Sequence, residues 1–103
     1  MALTLEWHEP RPRVVLLVCR GRVDPIAAVA LRRELRDLCD SDAQRVIVHL
    51  GDVERLDAAG VAAIAGAGAA LRRRGAELSI VPPMGFDAGR ILHYSGLAPL
   101  FPA

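Results

Sequence analysis

Two apolar strand-like runs with one amphipathic helix between them constrain this chain most. Val14-Val15-Leu16-Leu17-Val18-Cys19 is apolar on both faces, the pattern of a central strand covered on both sides. Gly21 marks its predicted end. Asp24-Pro25 then opens a helix, with an acid at the N-cap and proline in the first helical position. Ala27, Leu31, Leu35 and Leu38 recur at helical spacing and form one apolar stripe, while Arg32, Arg33, Arg36 and Asp37 fall off it. Asp40-Ser41-Asp42 breaks the pattern, and Arg45 to Leu50 reads as the next strand. Strand, helix and strand in this order make a βαβ unit, whose strands run parallel and whose crossover is right-handed.

The flanking segments extend this unit. Leu3-Thr4-Leu5-Glu6-Trp7 alternates apolar and polar and reads as a half-exposed edge strand, with Pro10 and Pro12 marking the turn after it. A second helix starts near Ala58 and ends in Arg72-Arg73-Arg74 followed by Gly75, cations in the last turn and glycine just beyond. Gly66 and Gly68 inside it cost about 1 kcal/mol each relative to alanine. A neighbouring element packed closely against them is the expected compensation. Leu78 to Val81 is a third parallel strand, stopped by Pro82-Pro83. Phe86 to Tyr94 reads as a short helix, and Leu97, Leu100 and Phe101 are apolar enough to dock on the core.

The composition excludes several functions. A chain of 103 residues, half of them apolar, makes one domain over residues 1–103 with a core that needs no staples. The net charge of +1 lacks the basic excess of a nucleic-acid footprint, and the scarcity of aromatics argues against base stacking. Cys19 and Cys39 read as free thiols, one in a strand and one at a helix end. No charged-then-apolar leader opens the chain, and no apolar run approaches the roughly 20 residues of a membrane helix. A cytoplasmic protein without direct membrane insertion is expected.

The chemistry-bearing residues are few. His8, His49 and His93 share no ligand spacing with cysteines or acids, so no metal and no cofactor is expected. His49 reads as a polar residue at a strand edge and has no nucleophile near it in sequence. The glycines lack phosphate-cradle spacing, and the arginine triplet reads as a solvated helix end. The informative stretch is Leu56-Asp57-Ala58-Ala59-Gly60-Val61, where a strand feeds a helix. Asp57 can cap that helix by accepting from the N–H of Ala59 or Gly60. The small residues leave the first turn bare, open to close approach by another surface. In a parallel arrangement the loops after the strands gather at one sheet edge, so Gly21 to Asp24 and Asp52 to Gly60 should lie together there.

Taken in order, these motifs resemble the sulphate-transporter and anti-sigma-factor-antagonist (STAS) family over nearly the whole chain. Gly21-Arg22-Val23-Asp24 is similar to the family's glycine-x-x-aspartate turn before its first helix. Val46 to Gly60 resembles its signature of an apolar strand, a variable loop and then Asp-Ser-Ser-Gly or Asp-Thr-Ala-Gly. Gly75-Ala76-Glu77-Leu78 and Leu92-His93-Tyr94-Ser95-Gly96-Leu97 resemble its last turn and closing helix.

The resemblance implies an α/β fold of the β–α superhelix type. It would have about four strands in a mostly parallel sheet, an antiparallel N-terminal edge strand, and helices mainly on one face. It also implies a non-catalytic protein-binding module that docks through Gly21, Asp24, Asp57, Ala58, Ala59, Gly60 and Val61. Many members bind an anti-sigma factor serine/threonine kinase that phosphorylates the hydroxyl directly after the signature aspartate. Here that position is Ala58, followed by Ala59, so phosphorylation at the site is excluded. His49 and Gly51 also depart from the family's usual aspartate and serine. Two roles are therefore expected: an anti-sigma factor antagonist-like regulator lacking the phospho-acceptor, or an accessory STAS subunit bound to the ATPase of a lipid-transporting ABC system.

Overall fold

The computed structural model describes residues 2–84, 96, 97 and 100. Strand β1 (Thr4–Arg11) turns through Pro12 and Arg13 into β2 (Val14–Val23). Helix α1 (Pro25–Cys39) leads to β3 (Arg45–Leu56), and α2 (Ala58–Arg73) leads to β4 (Glu77–Val81). The sheet order is β1-β2-β3-β4, with β1 antiparallel to β2 and the other neighbours parallel. This is the expected mixed α/β sheet, with the antiparallel edge strand where the sequence puts it.

The core lies between the sheet and both helices. Val15, Val46 and Leu78 align in register across three strands, and so do Leu17, Val48 and Ile80. All six are buried in one cluster with Ala28, Leu31 and Leu35 of α1 and Ile64, Ala67 and Leu71 of α2. Successive strand residues face opposite sides, so this shared row places both described helices on the same face. Burial of a Leu or Ile side chain contributes about 1.5–3 kcal/mol, which makes this row the main source of stability. Leu97 is buried and Leu100 packs against the same cluster. The helix expected over Phe86 to Tyr94, and Phe101, lie outside the described residues.

Several boundaries differ from expectation for identifiable reasons. β1 continues through Pro10, which an edge strand tolerates on its unpaired side, with a register irregularity between His8 and Arg11. β2 does not stop at Gly21 but continues to Val23, the glycine adopting φ 100° where β3 carries an extra residue opposite it between Val53 and Arg55. β3 runs six residues beyond Leu50 because two register shifts against β2 rephase it. The first buried residue of the α1 stripe is Ala28, with Ala27 only half-buried. At Gly66 an added Cβ would find, among the described residues and beyond its own helix backbone, no atom within 4 Å. Gly68 is buried, and its nearest approach is Leu100 at 3.9 Å. The α2 C-terminus is as predicted: Gly75 sits at φ 80°, its N–H donates to Arg72 O, and the N–H of Ala76 donates to Leu71 O at 2.9 Å.

Candidate functional site

Both helices begin at the same end of the sheet, and backbone hydrogen bonding joins the two starts. The N–H of Asp57 donates to the carbonyl of Val23 at 2.8 Å, placing the end of β3 against the end of β2. Each helix is then capped by the acid that follows its strand. Asp24 Oδ1 accepts from the N–H of Ala27 at 2.7 Å, and Asp57 Oδ1 accepts from the N–H of Ala59 at 2.8 Å. Each cap satisfies a backbone donor that has no partner within the helix and places a carboxylate at the positive end of the helix dipole.

Between these caps Ala58 and Ala59 are exposed, Asp24 is exposed, Asp57 is half-buried, and Val61 packs partly against the core. Gly21 and Gly60, expected on the binding surface, are buried. At Gly60 the cause is direct contact, because a Cβ there would fall 2.7 Å from Val23 Cγ1 and 3.0 Å from Leu56 Cδ1. Gly60 thus seats α2 against the end of the sheet, and Gly21, at φ 100°, pairs with Val53 beside the second β3 bulge. Both shape the site from beneath.

The remaining reactive groups are occupied by structural roles. His49 Nδ1 accepts from the N–H of Gly51 at 3.2 Å, and its ring fills the space a Gly51 side chain would take, leaving 2.6 Å to an added Cβ. His49 therefore closes the first β3 bulge. Cys19 is fully buried, and burial pushes its thiol up to about 12, far from a thiolate nucleophile. Both cysteines are free thiols. Among the described residues no three His, Cys, Asp or Glu side chains converge to hold a metal ion, and no helix is long and apolar enough to cross a membrane.

The apolar surface beside the tip is larger than the sequence suggested. Ile26 is 84% and Val29 58% exposed on α1. From Pro25 and Ala59 a groove of about 650 Å³ runs between the helices past Ala63 and Gly66 to Cys39 and Ala70. The available signal was two apolar residues off the buried stripe of α1, together with an α2 built almost entirely of alanine and glycine.

The family model described as Mlab, STAS domain, matches residues 8–101. The chain belongs to the STAS domain family. The unphosphorylated anti-sigma factor antagonist SpoIIAA has the same fold, with a TM-score of 0.82, 15% identity, and coverage of 94% of this chain and 84% of that one. An anti-sigma factor antagonist from Mycobacterium paratuberculosis gives a TM-score of 0.80 at 20% identity, covering 98% of this chain and 84% of that one. An antisigma-factor antagonist STAS domain from Rhodobacter sphaeroides gives 0.59 at 17% identity, covering 77% and 85%. No curated protein sequence matches the chain. At such identities the likeness establishes the fold, and the role of this STAS domain has to be argued from its own surface.

Proposed function

We propose that this STAS domain is a non-catalytic, protein-binding regulator of the partner-switching type, resembling anti-sigma factor antagonists but lacking the phospho-acceptor hydroxyl. It docks through the joined helix starts, with Ala58, Ala59 and Val61 as contact residues, Asp24 and Asp57 framing them, and Gly21 and Gly60 beneath. The observation that carries this reading is the exposed Ala58-Ala59 step between two carboxylate caps, a bare helical turn with no group to modify. The partner on this reading is an anti-sigma factor serine/threonine kinase, which binds the domain without phosphorylating it.

The family match carries the description Mlab, which favours a second reading, an accessory subunit seated on the ATPase of a lipid-transporting ABC system. Both readings place the partner at the same tip. A photo-cross-linking phenylalanine derivative at Ala58, in the producing cell, decides between them. It should trap a kinase-type anti-sigma factor on the first reading and a transport ATPase on the second. The same group at Asp42, an exposed loop residue between α1 and β3, should trap neither. Equal trapping at both positions, or no protein adduct at Ala58, counts against the docking site. In parallel, the loop peptide should show no phosphate mass after incubation with the trapped kinase and ATP.

A further inference from the structure

The groove between α1 and α2 begins at the tip residue Ala59 and continues the proposed docking surface along the helices. Ala62, Ala63, Gly66 and Ala70 on α2 face Ala28 and Leu35 on α1 across it. Residues 59 to 70 span roughly 16 Å, about three helical turns. The small side chains let a third backbone come close. The open space over Gly66 shows that the helix pair does not fill its own seam. Gly66 has also given up about 1 kcal/mol of helix propensity with no contact to another described element in return.

Charge on the rim selects the occupant. Arg32 and Arg36 line the groove one turn apart, both exposed, and neither forms an ion pair among the described residues. Like charges four residues apart weaken an isolated helix; Asp40 stands one turn beyond Arg36, but Arg32 has no acid one turn away on its own helix. At the far end Asp40 lines the groove, and Arg73 and Arg74 lie near it beside Cys39, so the stretch beyond the tip has a net positive character.

We propose that this groove receives an amphipathic helix of the partner, apolar on one stripe and carrying two carboxylates one turn apart that face Arg32 and Arg36. A helix laid in a groove is read through apolar anchors at one-turn spacing, and paired carboxylates on its flank match the arginine spacing. Bidentate guanidinium–carboxylate pairs fix its register. The inference rests on the docking-module reading and adds the chemistry of what docks.

The test uses the full chain and a displayed library of randomised helical peptides of about 16 residues, roughly 24 Å long. Selected peptides should carry Glu or Asp pairs at i, i+4 beside an apolar stripe. Their affinity, read by fluorescence anisotropy, should fall at least about tenfold on Arg32→Glu/Arg36→Glu and on Ala62→Trp. It should stay unchanged on Asp42→Trp, an exposed loop position outside both the groove and the helix starts. Peptides with their acids replaced by lysine should bind the Arg32→Glu/Arg36→Glu protein better than the wild type. Selection that yields no groove binder, peptides without acidic pairs, or affinity indifferent to Arg32 and Arg36 overturns the inference. So does sedimentation showing self-association that Ala62→Trp abolishes, since a second copy then fills the groove. The Ala58 cross-link fails or succeeds independently, so loss of the groove helix and loss of the docking reading are told apart.

Discussion

Val23 and Asp57 share one main-chain hydrogen bond, Asp57 N–H to Val23 O at 2.8 Å, and the Val23 side chain lies where a Cβ on Gly60 would fall. One residue of β2 thus fixes both the entry to α2 and the identity of its third residue. Gly60→Ala would gain up to about 1 kcal/mol of helix propensity but force a 2.7 Å contact with the buried, β-branched Val23. Overpacking of this kind costs about 1–3 kcal/mol, so urea denaturation should show a net loss of about 1–2 kcal/mol. Val23→Ala in the same chain should recover part of it, and a double-mutant cycle should report the coupling. Strict additivity would mean that the contact relaxes elsewhere.

Gly66 is the contrasting case. It occupies the same helix, yet an added Cβ meets nothing within 4 Å among the described residues outside its own helix backbone. Gly66→Ala should therefore stabilise the domain by up to about 1 kcal/mol, a rise of about 4–8 °C in Tm for a domain near this size. A fall in Tm would show that the seam closes over this position in solution.

The order of elements was legible because each helix carries its own punctuation: Asp24-Pro25 opens α1, and Arg72-Arg73-Arg74-Gly75 closes α2. The full length of β3 was not. Its buried residues after Val48 are Leu50, Val53 and Leu56, spaced by three, because two bulges break the alternation that identifies a strand. Read from spacing alone, Asp52 to Arg55 looks like loop. Of the site, Asp24, Asp57, Ala58 and Ala59 were legible from capping chemistry. The burial of Gly21 and Gly60 was not, since it depends on which strand end meets which helix start. The groove was missed because Gly66 and Gly68 in the middle of α2 suggested close packing, and only Gly68 is covered.

The arginine triplet divides in a way no sequence pattern shows. Arg74 Nε donates to Cys39 O at 2.9 Å and its NH2 group to Leu38 O at 3.3 Å, closing the C-terminus of α1 from α2. Arg72 and Arg73 are exposed in the last turn of α2. Arg74→Ala should cost about 1 kcal/mol, since charge-assisted hydrogen bonds at an exposed helix end retain only part of their strength. Arg72→Ala should stay within about 0.5 kcal/mol of the parent. Equal effects in thermal unfolding would assign the triplet to a general dipole effect, with no bridge between the helices.

Cys19 should contribute to the alkaline limb of stability. Its thiol is pushed up to about 12 in the fold by burial, against an ordinary value of about 9 in the unfolded chain. Below pH 9 both states keep the proton and stability is unaffected. Above it the unfolded state loses the proton first, so stability falls with rising pH by up to about 1.4 kcal/mol per unit until the folded thiol also ionises near 12. All 13 basic side chains are arginine, so no lysine titrates in this window. Cys39, whose thiol burial also raises, is common to parent and variant and cancels in the comparison. Urea unfolding from pH 8 to 10.5 should show a steeper decline for the parent than for Cys19→Ala, whatever the absolute cost of the truncation. Parallel slopes would mean that water reaches Cys19 and that the β2 row facing α1 is not closed.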